Sequence, residues 1–187
     1  MCYIKPKCAI VCGNVKSVVT TVNTRKIAEI RRLHEMTKVL FICHGNICRS
    51  PMAEFVMKDI VKKAGLENEF HIASAATSSE ELGNPVHRGT KAKLAEHGIT
   101  TAGKVARKLC KEDYNKYDYL IGMDSWNMKN MRRLFGGDPD TKLSLLLAFA
   151  GRDGDIADPW YTGNFEVTYN DVLAGCQGLF GYIQELL

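Results

Sequence analysis

The 187-residue sequence predicts an α/β fold, an open parallel β-sheet covered by helices on both faces. Three observations carry this. After Met36, short apolar runs alternate with helical patterns. The first run, Lys38–Ile42, is apolar without alternation and ends at a Gly-containing loop, as a strand buried on both faces does. The spacing between runs leaves room for the crossover helices that parallel strands need.

The elements follow in order. Met52–Lys63 places apolar residues at 52, 53, 55, 56, 57, 60 and 61, a wide helical stripe that Gly65 ends. Phe70–Ala75 is a second strand, followed by a small-residue loop through Pro85. Thr90–His97 is a short helix stopped by Gly98, and Glu112–Lys116 a helical turn. Tyr119–Met123 is a third strand leading into a helix over Ser125–Phe135, which Gly136-Gly137-Asp138-Pro139 breaks. Lys142–Leu147 reads as a fourth strand, with a helix as the alternative. A polar loop from Gly151 to Gly163 precedes a C-terminal helix from about Phe165 to Leu187. No internal repeat or low-complexity segment interrupts the pattern.

Composition narrows the function classes. The formal charge is +4, but residues 1–35 hold seven Lys/Arg against two acidic residues, a local +5. Residues 36–187 hold 18 against 19, a local −1, which gives no charge-based case for nucleic-acid binding. Residues 1–35 are expected to be a poorly packed basic extension or a non-native leader, because Met36-Thr37-Lys38 has the form of a natural start. They lack the compact apolar core and cleavage site of a secretory signal. No stretch approaches the roughly 18–20 apolar residues of a membrane span. Seven cysteines, odd in number and without framework spacing, suit a reducing cytoplasm.

The chemistry concentrates in Cys43-His44-Gly45-Asn46-Ile47-Cys48-Arg49-Ser50, between the first strand and the first helix. The first N–H groups of a helix lack internal partners, and the dipole there favours negative charge. Gly45 allows close backbone approach, and Pro51 suits the first helical turn. Such a loop is a receptor for a tetrahedral oxyanion, and the same field favours thiolate over thiol at Cys43. Arg49 offers a planar fork for two phosphate oxygens. Ser50 can donate to the sulfur, and Asn46 tolerates unusual backbone angles while bracing the loop. The two cysteines do not read as a zinc site, since no second ligand pair stands at finger spacing. Phosphate-ester cleavage also needs a proton for the departing oxygen. Asp158, held extended by Pro159 and walled by Trp160 and Tyr161, is the candidate acid.

Residues 38–187 resemble the low-molecular-weight protein tyrosine phosphatases. The likeness rests on the V-L-F-I-C-H-G-N-I-C-R-S-P-M-A-E block, S-A-A-T-S, G-N-P and H-G-I in the middle, D-Y-L-I-G-M-D later, and D-P-W-Y-T-G-N-F-E near the end. The resemblance implies a three-layer open sandwich with a four-stranded parallel sheet, and a metal-free, two-step mechanism without cofactor. It implies Cys43 as nucleophile, Arg49 as phosphate clamp and Asp158 as acid. The remaining loop residues, His44, Gly45, Asn46, Ile47, Cys48 and Ser50, would bind phosphate. Asn46 would hold the loop with His97 hydrogen-bonded to it as structural support, and Cys48 would form a protective, reversible disulfide with Cys43 under peroxide. Substrates would be phosphotyrosine proteins, met by a monomer.

Two departures bear on substrate choice. His44 stands where relatives often have an apolar residue and adds a donor at the pocket's floor or rim. Glu80 stands where animal relatives often place an aromatic wall, which disfavours acidic peptides. Trp160 and Tyr161 still supply an aromatic flank. Arginine phosphatases resemble the same loop but tend to carry Thr where this chain has Ile47, whose side chain favours a phenyl edge. Thioredoxin-coupled arsenate reductases need two further cysteines in mid-chain, where Cys110 stands alone. A non-catalytic oxyanion-binding module would not need thiol, arginine and acid together.

Overall fold

The structure, a computed structural model, describes residues 36–186. The basic extension expected over residues 1–35 lies outside the described residues. Four strands, β1 (Thr37–Cys43), β2 (Phe70–Ala76), β3 (Tyr119–Gly122) and β4 (Leu143–Leu145), form one sheet in the order β2-β1-β3-β4. Every pairing is parallel. The helices are α1 (Arg49–Lys63), α2 (Arg88–Glu96), α3 (Asp113–Lys116), α4 (Ser125–Phe135), α5 (Pro159–Thr162) and α6 (Phe165–Leu186).

The central strand shows why both faces must be covered. Val39, Phe41 and Cys43 join one core cluster with residues of α1 and α6, while Leu40 and Ile42 join a second with residues of α3 and α4. Alternate side chains of a strand point to opposite faces, so an unbroken apolar run is stable only between two layers of helices. The expected three-layer architecture is what the chain adopts. Among the described residues, no helix is long and apolar enough to cross a membrane.

Two elements differ from expectation. β4 stops at Leu145, and Leu146–Ala150 wind into a 3-10 turn. Leu146 and Leu147 are consecutive yet lie in the same core cluster, which strand alternation forbids. The loop from Gly151 to Gly163 contains the single-turn helix α5, which Asp158 caps by accepting a hydrogen bond from Trp160 N.

The carboxyl ends of β1, β2 and β3 gather at one edge of the sheet, where ligands of open α/β folds bind. Thr77 N donates to Cys43 O at 2.9 Å, and Ile156 N donates to Met123 O at 2.8 Å. These bonds bring the loops after β1, β2 and β3 together with the segment preceding Asp158.

Candidate active site

The turn from β1 into α1 is built around the Cys43 sulfur. Asn46 N donates to Cys43 Sγ at 3.2 Å, and Ser50 Oγ lies 3.0 Å from the same atom. Asn46 sits at φ 58°, a left-handed conformation that asparagine tolerates better than most residues. Its amide is fully used: Nδ2 donates to Ser50 Oγ at 2.8 Å and Ser74 Oγ at 2.7 Å, and Oδ1 accepts from Arg107 N at 3.1 Å. Because Ser50 Oγ accepts from Asn46, its own O–H is left to donate to the sulfur. The first turn of α1 holds no acidic residue, and Cys48 makes no side-chain cap. The helix terminus is therefore not neutralised by its own sequence.

Arg49 is 3% exposed and spans the site. Nη1 donates to Asp124 Oδ2 at 2.6 Å and to Ile156 O at 3.1 Å, and Nη2 donates to Asp158 Oδ2 at 2.5 Å. Burial by itself would lower its pKa, but Cys43, Asp158 and Asp124 outweigh burial and raise it, so the guanidinium is a fixed cation. Its Nε is buried and has no hydrogen-bond partner among the described residues. That donor is the one an oxyanion would take up.

A cavity of about 110 Å³ opens over these groups. It is lined by every residue expected at the site except Asn46, Ser50 and His97, with Glu81 added. Asn46 and Ser50 are buried behind the sulfur and act through it. Gly45 leaves little room here, since a Cβ would lie 3.1 Å from Glu81 Cγ and that side chain would have to shift. Trp160 is braced by an edge-on contact with His87, which stacks in turn on Phe165, while Tyr161 stands free in solvent. The two substrate-related departures are partners: His44 Nε2 lies 3.0 Å from Glu80 Oε2, bridging the rim. Cys48 is buried beside Cys43. Burial first, then the nearby Cys43 and Asp158, push its thiol up to about 12, so it is protonated at neutral pH.

One expected contact is absent and is corrected here. His97 does not bond to Asn46. It follows α2 at the exposed surface and stacks on Tyr169 with ring centroids 4.0 Å apart. Its place beside Asn46 is taken by Ser74 from β2 and by the backbone of Arg107. Asp124 and Ser74 touch the loop residues Arg49 and Asn46; both stand in motifs of the family likeness, but those motifs by themselves assign them no role. Asp124 carried a signal, as an aspartate between a strand and a helix is a natural N-cap. Ser74 opens the S-A-A-T-S block, which carried the family likeness but not the contact with Asn46. Among the described residues, no group of three or more His, Cys, Asp or Glu is arranged to hold a metal ion.

The model of the low molecular weight phosphotyrosine protein phosphatase family matches residues 38–186. The chain belongs to that family. The low molecular weight protein-tyrosine-phosphatase YfkJ of Bacillus subtilis is 40% identical over 153 residues, covering 80% of this chain and 97% of its own. Its crystal structure superimposes with a TM-score of 0.78 at 39% identity, covering 81% and 96%. The phosphatase SP-PTP of Streptococcus pyogenes gives a TM-score of 0.70 at 44% identity, covering 81% and 94%. A Drosophila arginine phosphatase gives 0.72 at 30% identity, covering 79% and 98%. Structures similar to this chain therefore include enzymes named for different phosphorylated residues.

Proposed function

We propose that this family member is a protein-tyrosine-phosphatase that hydrolyses phosphotyrosine through a cysteinyl-phosphate. The observation that carries this reading is the convergence of Cys43 Sγ, the unpartnered Arg49 Nε and the Asp158 carboxyl on one small cavity. Phosphate oxygens would accept from the loop N–H groups and from Arg49, which frees Asp158 from its ion pair to face the leaving oxygen. The Cys43 thiolate attacks phosphorus in line, the P–O bond to the phenol breaks, and protonated Asp158 gives its proton to that oxygen. Water, deprotonated by Asp158, then attacks phosphorus, forming a new P–O bond as the S–P bond breaks. Inorganic phosphate leaves, and the thiolate is regenerated with Ser50 O–H on it. The N–H groups and Arg49 remain on the equatorial oxygens, where charge builds in each transition state.

Phosphotyrosine is favoured over phosphoarginine because Ile47 presents an apolar side chain to the pocket, with Trp160 and Tyr161 at the mouth. The enzyme is read as a monomer of the reducing cytoplasm, which suits the free thiols at Cys43, Cys48, Cys110 and Cys176. The test is p-nitrophenyl phosphate hydrolysis by wild type, Cys43→Ser and Asp158→Ala. The serine variant should be inactive, and the alanine variant about 10²–10³ slower. Full activity of Cys43→Ser would discard the mechanism. Faster turnover of phosphoarginine than phosphotyrosine peptides would discard the substrate.

A further inference from the structure

The hydrogen bonds behind Cys43 continue past Ser74. Ser74 Oγ donates to Glu54 Oε2 at 2.5 Å. Glu54 lies on α1 and is 4% exposed. Lys104 Nζ stands 3.0 Å from Glu54 Oε2, and Lys58 Nζ donates to Oε1 at 2.5 Å. The side chain of Lys104 is 12% exposed, against 43% for Lys58, so Lys104 is the cation enclosed with the carboxylate. Lys104 also donates to Ser74 O at 3.2 Å, holding the strand that carries the serine.

We infer that Glu54 and its counter-ion Lys104 are positioning residues for Cys43, setting the direction of the hydrogen bonds that end on its sulfur. The inference rests on the reading of Cys43 as the nucleophile. An ionised carboxylate can only accept, so Ser74 must spend its O–H on Glu54. Ser74 Oγ is then an acceptor for Asn46 Nδ2, and Arg107 N at Oδ1 keeps the amide from turning over. The second Nδ2 proton goes to Ser50, which leaves the Ser50 O–H for the sulfur. A protonated Glu54 has a hydrogen of its own to offer Ser74. The serine O–H is then released to compete with Asn46, and the ordering of the chain is lost.

A lone buried carboxylate would take up a proton to escape desolvation. Here burial, the largest influence on Glu54, is outweighed by Lys104, by the hydrogen bonds of Lys58 and Ser74, and by the Lys58 charge, which hold it below the usual glutamate range. Burial draws Lys104 down from the usual lysine range, with Glu54 opposing it. The other titratable groups that feel this pair are Arg107 from the same loop, His71 on β2 and Tyr117 ahead of β3. Around Cys43 they are Cys48, Arg49 and Asp158. None of these replaces Lys104 as the enclosed partner of Glu54.

The experiment follows alkylation of Cys43 by iodoacetamide against pH in the full chain, resolved by peptide mass mapping, for wild type, Lys104→Met, Lys104→Arg and Glu54→Gln. Thiolate is the reacting species, so the rate reports its population. Lys104→Met and Glu54→Gln should alkylate Cys43 three- to tenfold more slowly at mildly acidic pH and reach the wild-type rate at alkaline pH. Lys104→Arg should restore the wild-type profile. Overlapping profiles for wild type and Lys104→Met overturn the inference, as does a lowered alkaline plateau in that variant, which would mark a merely structural role. If Glu54→Gln fails to fold, the two lysine variants still decide. Alkylation needs no phosphate ester, so an inactive wild type towards p-nitrophenyl phosphate counts against the phosphatase reading alone.

Discussion

Arg49 is held by two carboxylates with separate duties. In the proposed mechanism Asp158 leaves the guanidinium to meet the departing oxygen, whereas Asp124 can stay. Asp124 divides its oxygens: Oδ2 accepts from Arg49, and Oδ1 caps α4 by accepting from Asn127 N at 2.6 Å. Asparagine caps as well as aspartate, so Asp124→Asn separates the duties. It should keep the cap but cost about 1–3 kcal/mol for the charged hydrogen bond lost from buried Arg49, and lower kcat/KM about tenfold, because the guanidinium loses its fixed anionic stop. Asp124→Ala should show the same kinetic loss and a further drop of about 1 kcal/mol. Calorimetry and initial rates on p-nitrophenyl phosphate measure both. At this scale the anion loop was legible because its chemistry is contiguous, seven residues running from Cys43 to Arg49. Ser74 and Asp124 stand within motifs and Lys104 does not, but all three reach the loop only through tertiary folding, so their partners are not written in the spacing. The misplacement of His97 has the same origin. The segment from His97 to Arg107 returns to Asn46 with its far end, so a backbone N–H, not the imidazole, arrives there.

The elements were legible wherever periodicity is unambiguous. β1 buries its apolar run and α1 most of its apolar stripe, and Gly136 ends α4 in the left-handed conformation expected of a C-cap. The stretch at the end of β4 was ambiguous because six successive apolar residues, Leu145–Ala150, suit a strand or a helix equally. Packing against α6 decided it. That packing explains why a 22-residue helix carries glycines in its interior. A Cβ at Gly178 would lie 2.0 Å from Phe149 O, and one at Gly175 would lie 2.5 Å from Leu146 Cγ. Gly181 differs, with nothing within 4 Å of its Cβ position. Two substitutions of equal helix propensity should therefore act in opposite directions. Gly181→Ala should stabilise by up to about 1 kcal/mol, the usual gain for alanine over glycine in a helix. Gly178→Ala should lose that gain and destabilise by about 1–3 kcal/mol through overpacking against backbone that cannot yield. Urea titration of the two variants beside wild type reads both signs.

At the scale of the whole molecule, charge is segregated. The strands are mostly apolar, and the buried charged groups Arg49, Glu54 and Asp113 cluster with Lys104, Arg107 and Asp124 around the end of the sheet where the strands finish. Function sits where the fold is dearest to keep, since each of these groups is stable only while its partner is charged. The consequence is a defined response to acid. Glu54 has a folded pKa below its unfolded value of about 4.3, so its contribution is complete above that value and is lost as pH falls through the folded pKa. Asp113, held down by Arg107 and by Cys110 N against the effect of burial, follows the same sign from about 3.9. Wild type should therefore be steady between about pH 5 and 7 and lose stability steeply below about pH 4. Glu54→Gln has one fewer group to protonate. It should begin about 1–3 kcal/mol less stable at pH 7 and show a shallower decline on acidification. Urea midpoints from pH 7 to pH 3 provide the measurement. Parallel curves for the two proteins would mean that Glu54 titrates alike in the folded and unfolded states, so that the fold gives its charge no net support, which would also remove the anchor from which the hydrogen bonds to Cys43 take their direction.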